Sequence, residues 1–121
     1  MKHTMLCGAA AFAAISFSAS ADTRAAHSGF AVVQSDGTLV RGSQATSAKR
    51  LQAGAYEVVF ANSVKKCVFT ATTGLPGSDG INEPAFVTVA GRGGNDNGVF
   101  LKTYDKDGAD ADFGFHLNVR C

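Results

Sequence analysis

The chain has 121 residues, 45% of them hydrophobic and 17% charged, with eleven Lys and Arg against ten Asp and Glu. That length holds one domain and one core. The formal charge of +1 offers no electrostatic basis for nucleic acid or an anionic membrane as partner.

Residues 1–21 read as a signal peptide. Lys2 and His3 form a short basic start, residues 5–17 are mostly small and apolar, and Ala19-Ser20-Ala21 is a small-x-small cleavage site. The apolar run is too short to span a bilayer, so no membrane insertion is expected after cleavage. Cys7 comes too early in it for lipoprotein processing. Cleavage removes Lys2, His3 and Cys7, leaving ten basic against ten acidic side chains and two cysteines, an even number suited to an oxidising compartment. The expected location is secreted or periplasmic. Residues 22–29 follow as a polar, alanine-rich leader, and residues 30–121 as the folded domain.

The domain alternates short β-patterned runs with turn residues. Residues 30–34 and 38–41 form a hairpin around Ser35-Asp36-Gly37, because Asp-Gly suits the positive φ of a tight turn. Residues 42–44 break the pattern and 45–51 read as a further strand. In residues 56–60, Tyr56, Val58 and Phe60 share one face. Residues 61–66 are polar enough to turn, and 67–72 return with Cys67, Phe69 and Ala71 together. That makes residues 54–72 a central hairpin. Both prolines fall within residues 75–84, a long surface loop. Residues 85–90 are a strand, and 91–98, Gly-Arg-Gly-Gly-Asn-Asp-Asn-Gly, are a second irregular loop. Residues 99–104 are a strand and 105–108 an Asp-Gly turn. Residues 113–121 alternate Phe113, Phe115, Leu117, Val119 and Cys121 with polar neighbours for nine positions. Seven or eight short strands with no helical period predict an all-β fold, an antiparallel β-sandwich or small barrel.

Cys67 and Cys121 both fall on apolar faces, which predicts one disulfide tying the central segment to the C-terminus. His116 alternates to the face opposite Cys121, so a Cys67–His116 catalytic pair is not expected. Hydrolase motifs are missing, the histidines after cleavage are His27 and His116, and the glutamates are Glu57 and Glu83 alone. No catalytic residue, resident metal or cofactor is expected. One set of carboxylates, Asp105, Asp107, Asp110 and Asp112, is dense enough to be weighed against Ca²⁺, but the EF-hand register fails, with Thr103 at the first ligand position and Gly114 where the bidentate Glu belongs. Lys49-Arg50 and Lys65-Lys66 read as solvated doublets.

The segment from Gly54 through Tyr56, Val58 and Phe60, then Cys67, Gly98-Val99-Phe100 and Phe115-His116-Leu117-x-Val119-x-Cys121, resembles a recurring type of small secreted bacterial protein with two cysteines. The resemblance implies compartment and fold, and no activity. A fainter similarity of strand patterning runs to β-sandwiches of the C1q, H-type-lectin and tail-fibre kinds, and carries no site residues.

The expected function is a non-enzymatic extracytoplasmic module that binds a ligand, a glycan or a protein, through its glycine-rich loops. Arg92, Asn95, Asp96 and Asn97 are the candidate contacts, since they offer the donors and acceptors that hydroxyl-rich ligands need. The alternative is a structural subunit that oligomerises through sheet faces or edges, with Val59 and Val68 as a second apolar surface. A small hydrolytic enzyme stands third.

Overall fold

The alternation of large apolar and polar residues in the C-terminal segment is realised as a central strand. A computed structural model describes residues 28–121 and contains eight strands: β1 (Gly29–Val33), β2 (Leu39–Ser43), β3 (Ala45–Gln52), β4 (Ala55–Phe60), β5 (Val68–Thr73), β6 (Ala85–Gly91), β7 (Gly98–Asp105) and β8 (Phe115–Arg120). The signal peptide read at 1–21, most of the leader and His27 lie outside the described residues. Among the described residues no helix is long and apolar enough to cross a membrane.

The strands form two four-stranded antiparallel sheets, ordered β2-β1-β8-β5 and β3-β4-β7-β6. Period-two patterning decides which residues meet between them. Ala31, Val33, Phe115, Leu117 and Val119 from the first sheet face Tyr56, Val58, Phe60, Val99 and Leu101 from the second, all 2% exposed or less. Tyr56 and Phe115 meet edge to face, their ring centroids 5.2 Å apart, a geometry that stabilises beyond simple burial.

The chain passes between the sheets four times, from β2 to β3, β4 to β5, β5 to β6 and β7 to β8. β2 runs into β3 through a single corner residue, Gln44, whose φ of 62° turns the strand from one sheet to the other. The expected break over residues 42–44 is therefore one residue wide, and Gly42 and Ser43 stay in β2. The second junction corrects the central hairpin. β4 is flanked by β3 and β7, whereas β5 pairs with β8 in the opposite sheet. Residues 61–66 therefore cross between sheets instead of turning back. Their one large apolar residue, Val64, is 1% exposed and fills the space beneath the crossing. A polar average over six residues hid that buried side chain.

The disulfide between Cys67 and Cys121, 54 residues apart in sequence, is present. Its placement follows from register. Val68 pairs with Arg120 in the β5–β8 ladder, so the cysteines are the next pair along, and the bridge closes the end of that ladder. A covalent loop of this length disfavours the unfolded chain by about 4 kcal/mol on the chain-entropy argument. Cys121 N–H also donates to Ser28 Oγ at 3.1 Å, so three segments converge there. Such a bond is consistent with an oxidising, extracytoplasmic environment.

β8 begins at Phe115, two residues later than the alternation suggested. Phe113 and Gly114 instead run along the far end of the sandwich. The outward valines do not form one surface. Val59 lies on the second sheet and Val68, 65% exposed, on the first, so the two are on opposite sides of the molecule.

Candidate functional site

β6 separates the two glycine-rich loops. It spans seven residues, about 20 Å of extended chain. Residues 74–84 precede it and 91–98 follow it, so the loops sit at opposite ends of the sandwich. The 91–98 loop shares its end with the disulfide, and the 74–84 loop shares the other with the β1–β2 turn. A single ligand cannot bridge both loops.

The 91–98 loop is tied down by the polar groups that made it a candidate. Arg92 Nε donates to Glu57 Oε2 at 2.6 Å, and its guanidinium lies 5.9 Å from the Phe100 ring centroid. Asn97 Nδ2 donates to the carbonyls of Phe60 and Ala61 at 3.2 and 3.3 Å. Asn95 Oδ1 accepts from Asn97 N–H, and the Asp96 carbonyl accepts from Val64 N–H at 2.8 Å. Arg92 and Asn97 thus brace the loop against β4 and the 61–66 crossover, Asn95 ties the loop to itself, and the exposed Asp96 carboxylate projects from it.

The turn carboxylates disperse. Asp105 Oδ1 accepts the amides of Asp107 and Ala109, Asp107 pairs with Lys106 at 3.3 Å, and Asp110 pairs with Lys102 at 2.9 Å. Asp112 turns away toward Arg50. Among the described residues no three His, Cys, Asp or Glu gather as a metal ion needs, so the calcium reading gains no support from geometry. Glu57, in β4, pairs with Arg92 and Lys49, and Glu83 lies in the 74–84 loop.

The far end of the sandwich holds a cleft of about 330 Å³. Three segments enclose it: Gln34, Ser35 and Asp36 of the β1–β2 turn, residues 73–76 and 81–83 of the β5–β6 loop, and Asp112, Phe113 and Gly114 before β8. Each wall is anchored from behind. Buried Tyr56 donates its hydroxyl to the Ser35 carbonyl at 2.6 Å, holding the turn. Asp112 accepts from the Gly54 amide at 2.7 Å and from Arg50 Nε at 2.9 Å. Gly114 packs so closely that an added Cβ would stand 2.9 Å from the Gly74 carbonyl.

The third wall is held by the outer face of the first sheet. Register places Arg41, Val32, His116 and Thr72 in one row across β2, β1, β8 and β5. From that row Arg41 Nη1 donates to the Pro76 carbonyl at 2.7 Å. His116 Nε2, 2.8 Å from the Leu75 carbonyl, must be the protonated ring nitrogen, because a carbonyl only accepts. The start of the 74–84 loop is thereby strapped over the sheet.

The strap and walls shape the cleft's electrostatics. The Arg50 hydrogen bond, then the Gly54 amide, holds the Asp112 carboxyl below its ordinary 3.8. Asp36 is also held low, chiefly by the Thr38 amide it accepts. Tyr56 is pushed up to about 12, first by burial and then by the adjacent Asp112 charge. Of the residues lining the cleft, only Asp36, Glu83 and Asp112 are ionisable, all acidic, and Leu75, Pro76, Ile81 and Phe113 supply apolar wall. Such a mixture can hold and orient a ligand.

Sequence reasoning named the 74–84 loop but missed Asp36 and Phe113, and counted Asp112 only as a turn acid. The available signal was Asp112 itself. It stands three residues before β8 and outside the Asp-Gly turn, where a carboxylate has no turn amide to accept. The chain matches no family model, no curated protein and no solved structure.

Proposed function

We propose that this protein is a secreted or periplasmic, non-enzymatic binding module whose ligand enters the cleft between the β1–β2 turn, the 74–84 loop and residues 112–114. The observation that carries this reading is the cleft's construction. Loop segments from three distant parts of the chain are fixed by buried or backbone-directed hydrogen bonds around a concave space with apolar wall and few polar groups, the composition typical of ligand sites. The signal-peptide pattern at 1–21 and the Cys67–Cys121 bond support the compartment. The 91–98 loop acts as a brace at the other end.

The test is a ¹⁵N-amide NMR screen of the disulfide-bonded protein against small organic fragments and short glycans. Saturable shifts confined to Ser35, Asp36, Asn82, Glu83 and Gly114 are expected. Shifts at Arg92, Asn95 and Asp96 instead would move the site to the disulfide end, and no saturable shift at either end would remove the binding reading.

A second reading, a self-associating structural subunit, is favoured by one observation. The edge strands of the two sheets on one side are β5, Val-Phe-Thr-Ala-Thr-Thr, and β6, Ala-Phe-Val-Thr-Val-Ala-Gly, which lie beside each other with Thr73 Oγ1 donating to the Ala85 carbonyl at 3.4 Å. Neither carries a charge or proline of the kind that blunts an edge strand. Light scattering over a concentration series decides it, since a mass fixed at the monomer removes this reading.

A further inference from the structure

We propose that the ligand of this cleft is an organic cation, an amine carried on an apolar body. This deepens the binding reading above and rests on it.

The first observation is sign. Every ionisable side chain lining the cleft is a carboxylate, and no lysine, arginine or histidine is among them. The charges are not equally available. Asp112 is matched by Arg50 at 2.9 Å, so its charge is largely spent inside the fold. Asp36 accepts the Thr38 amide at 2.9 Å, which fixes its orientation without neutralising it. Neither Asp36 nor Glu83 forms an ion pair among the described residues. The cleft therefore presents two uncompensated negative charges, one on each of two opposing loops.

The second observation is shape and polarity. Among the described residues no three acidic or imidazole groups gather closely enough for a metal ion, so a compact divalent cation would lack ligands. Ile81 is 82% exposed on the loop that also carries Glu83, and Leu75 and Phe113 continue the apolar wall. An isoleucine left in water beside a carboxylate gains from a ligand that covers it. A hydrated inorganic ion leaves that surface wet. A neutral apolar molecule covers it and leaves the carboxylates with water alone. A cation with an apolar body satisfies both, and about 330 Å³ accommodates a molecule of that small size.

The experiment compares three probes matched in shape, 2-phenylethylamine, 2-phenylethanol and 3-phenylpropionate, by amide chemical-shift titration of the disulfide-bonded protein. The amine is expected to shift Asp36, Glu83 and Gly114 saturably and to bind about tenfold more tightly than the alcohol, the worth of one charge-assisted hydrogen bond. Its affinity falls as added salt shortens the Debye length from about 30 Å to about 8 Å. Glu83→Gln and Asp36→Asn, near-isosteric and exposed, are each expected to weaken the amine several-fold and leave the alcohol unchanged. Amine and alcohol binding equally at the cleft would overturn the cationic assignment while leaving the site. Preference for the carboxylate would overturn it too. No saturable shift with any probe would overturn both this inference and the cleft as a site.

Discussion

Asp112 reaches Arg50 at 2.9 Å across 62 residues of sequence, and the contact joins a segment outside every strand to the edge strand β3. The same carboxylate accepts the Gly54 amide and lies 3.3 Å from the Tyr56 hydroxyl. One side chain thus orients a cleft wall, the β3–β4 turn and a core tyrosine.

Acid should undo this junction in a defined window. The folded-state pKa of Asp112 is depressed below 3.8, so its stabilisation is complete above the unfolded value and disappears as pH falls through the folded value. The urea midpoint of the wild type should exceed that of Asp112→Asn by a constant amount above about pH 5, and the gap should close below about pH 4. The amide keeps an acceptor for Gly54 N–H but removes the charge that faces the half-exposed Arg50, so the neutral-pH cost is about 1 kcal/mol. A gap independent of pH would show that the charge of Asp112 plays no part.

Cys67 and Cys121 close the β5–β8 ladder just beyond the Val68–Arg120 pair. Replacing both with alanine should lower stability by about 4 kcal/mol, read as a shifted denaturation midpoint. Hydrogen exchange should localise the early loss to the Val68 and Val119 end, with Thr73 and Phe115 at the cleft end protected for longer. Uniform loss along both strands would mean that the bond acts on the whole fold and not on that end. Intact-mass measurement with and without reductant reports whether the bond forms in the native protein.

Strand positions were legible because each carries its own period-two pattern, and β8 illustrates it, with Phe115, Leu117 and Val119 buried and their neighbours outward. Sheet membership was not legible. The pattern of residues 56–60 and 67–72 is the same whether they pair with each other or lie in facing sheets, and only Val64, buried under the crossover, marks the difference. The cleft was hidden for a related reason. Asp36, Glu83 and Asp112 lie in three loops separated by whole strands, and no local spacing encodes their convergence. In the 91–98 loop, Asn and Arg residues that brace a backbone look the same in sequence as residues that await a ligand.

Gln44 and Gly54 are two left-handed positions with opposite fits, at φ of 62° and 67°. Gln44 carries a side chain in a conformation that disfavours one, so Gln44→Gly should raise stability by up to about 1 kcal/mol. At Gly54 an added Cβ would stand 2.6 Å from the Thr103 carbonyl. Gly54→Ala should therefore cost about 3 kcal/mol or more, from strain and from displacing β7. Equal and opposite effects, measured by chemical denaturation, would argue that φ alone matters. A Gly54 penalty well above the Gln44 gain identifies the close contact.

Tyr56 couples the core to the cleft, because its buried ring packs on Phe115 while its hydroxyl holds the Ser35 carbonyl at 2.6 Å. Its pKa rises from 10.0 to about 12 in the fold, so the neutral phenol is favoured by the native state. The stabilisation it contributes is complete below the unfolded value and is lost as pH rises through the folded one. Wild-type protein should weaken between pH 10 and about 12 by a component that Tyr56→Phe lacks. At neutral pH the variant should lose about 1–2 kcal/mol, since the Ser35 carbonyl loses its donor and the ring remains. The β1–β2 turn, freed at one end, should show faster amide exchange at Asp36 and weaker binding of any ligand held there. If Tyr56→Phe left the alkaline profile and the turn unchanged, the hydroxyl would have no role in shaping the cleft.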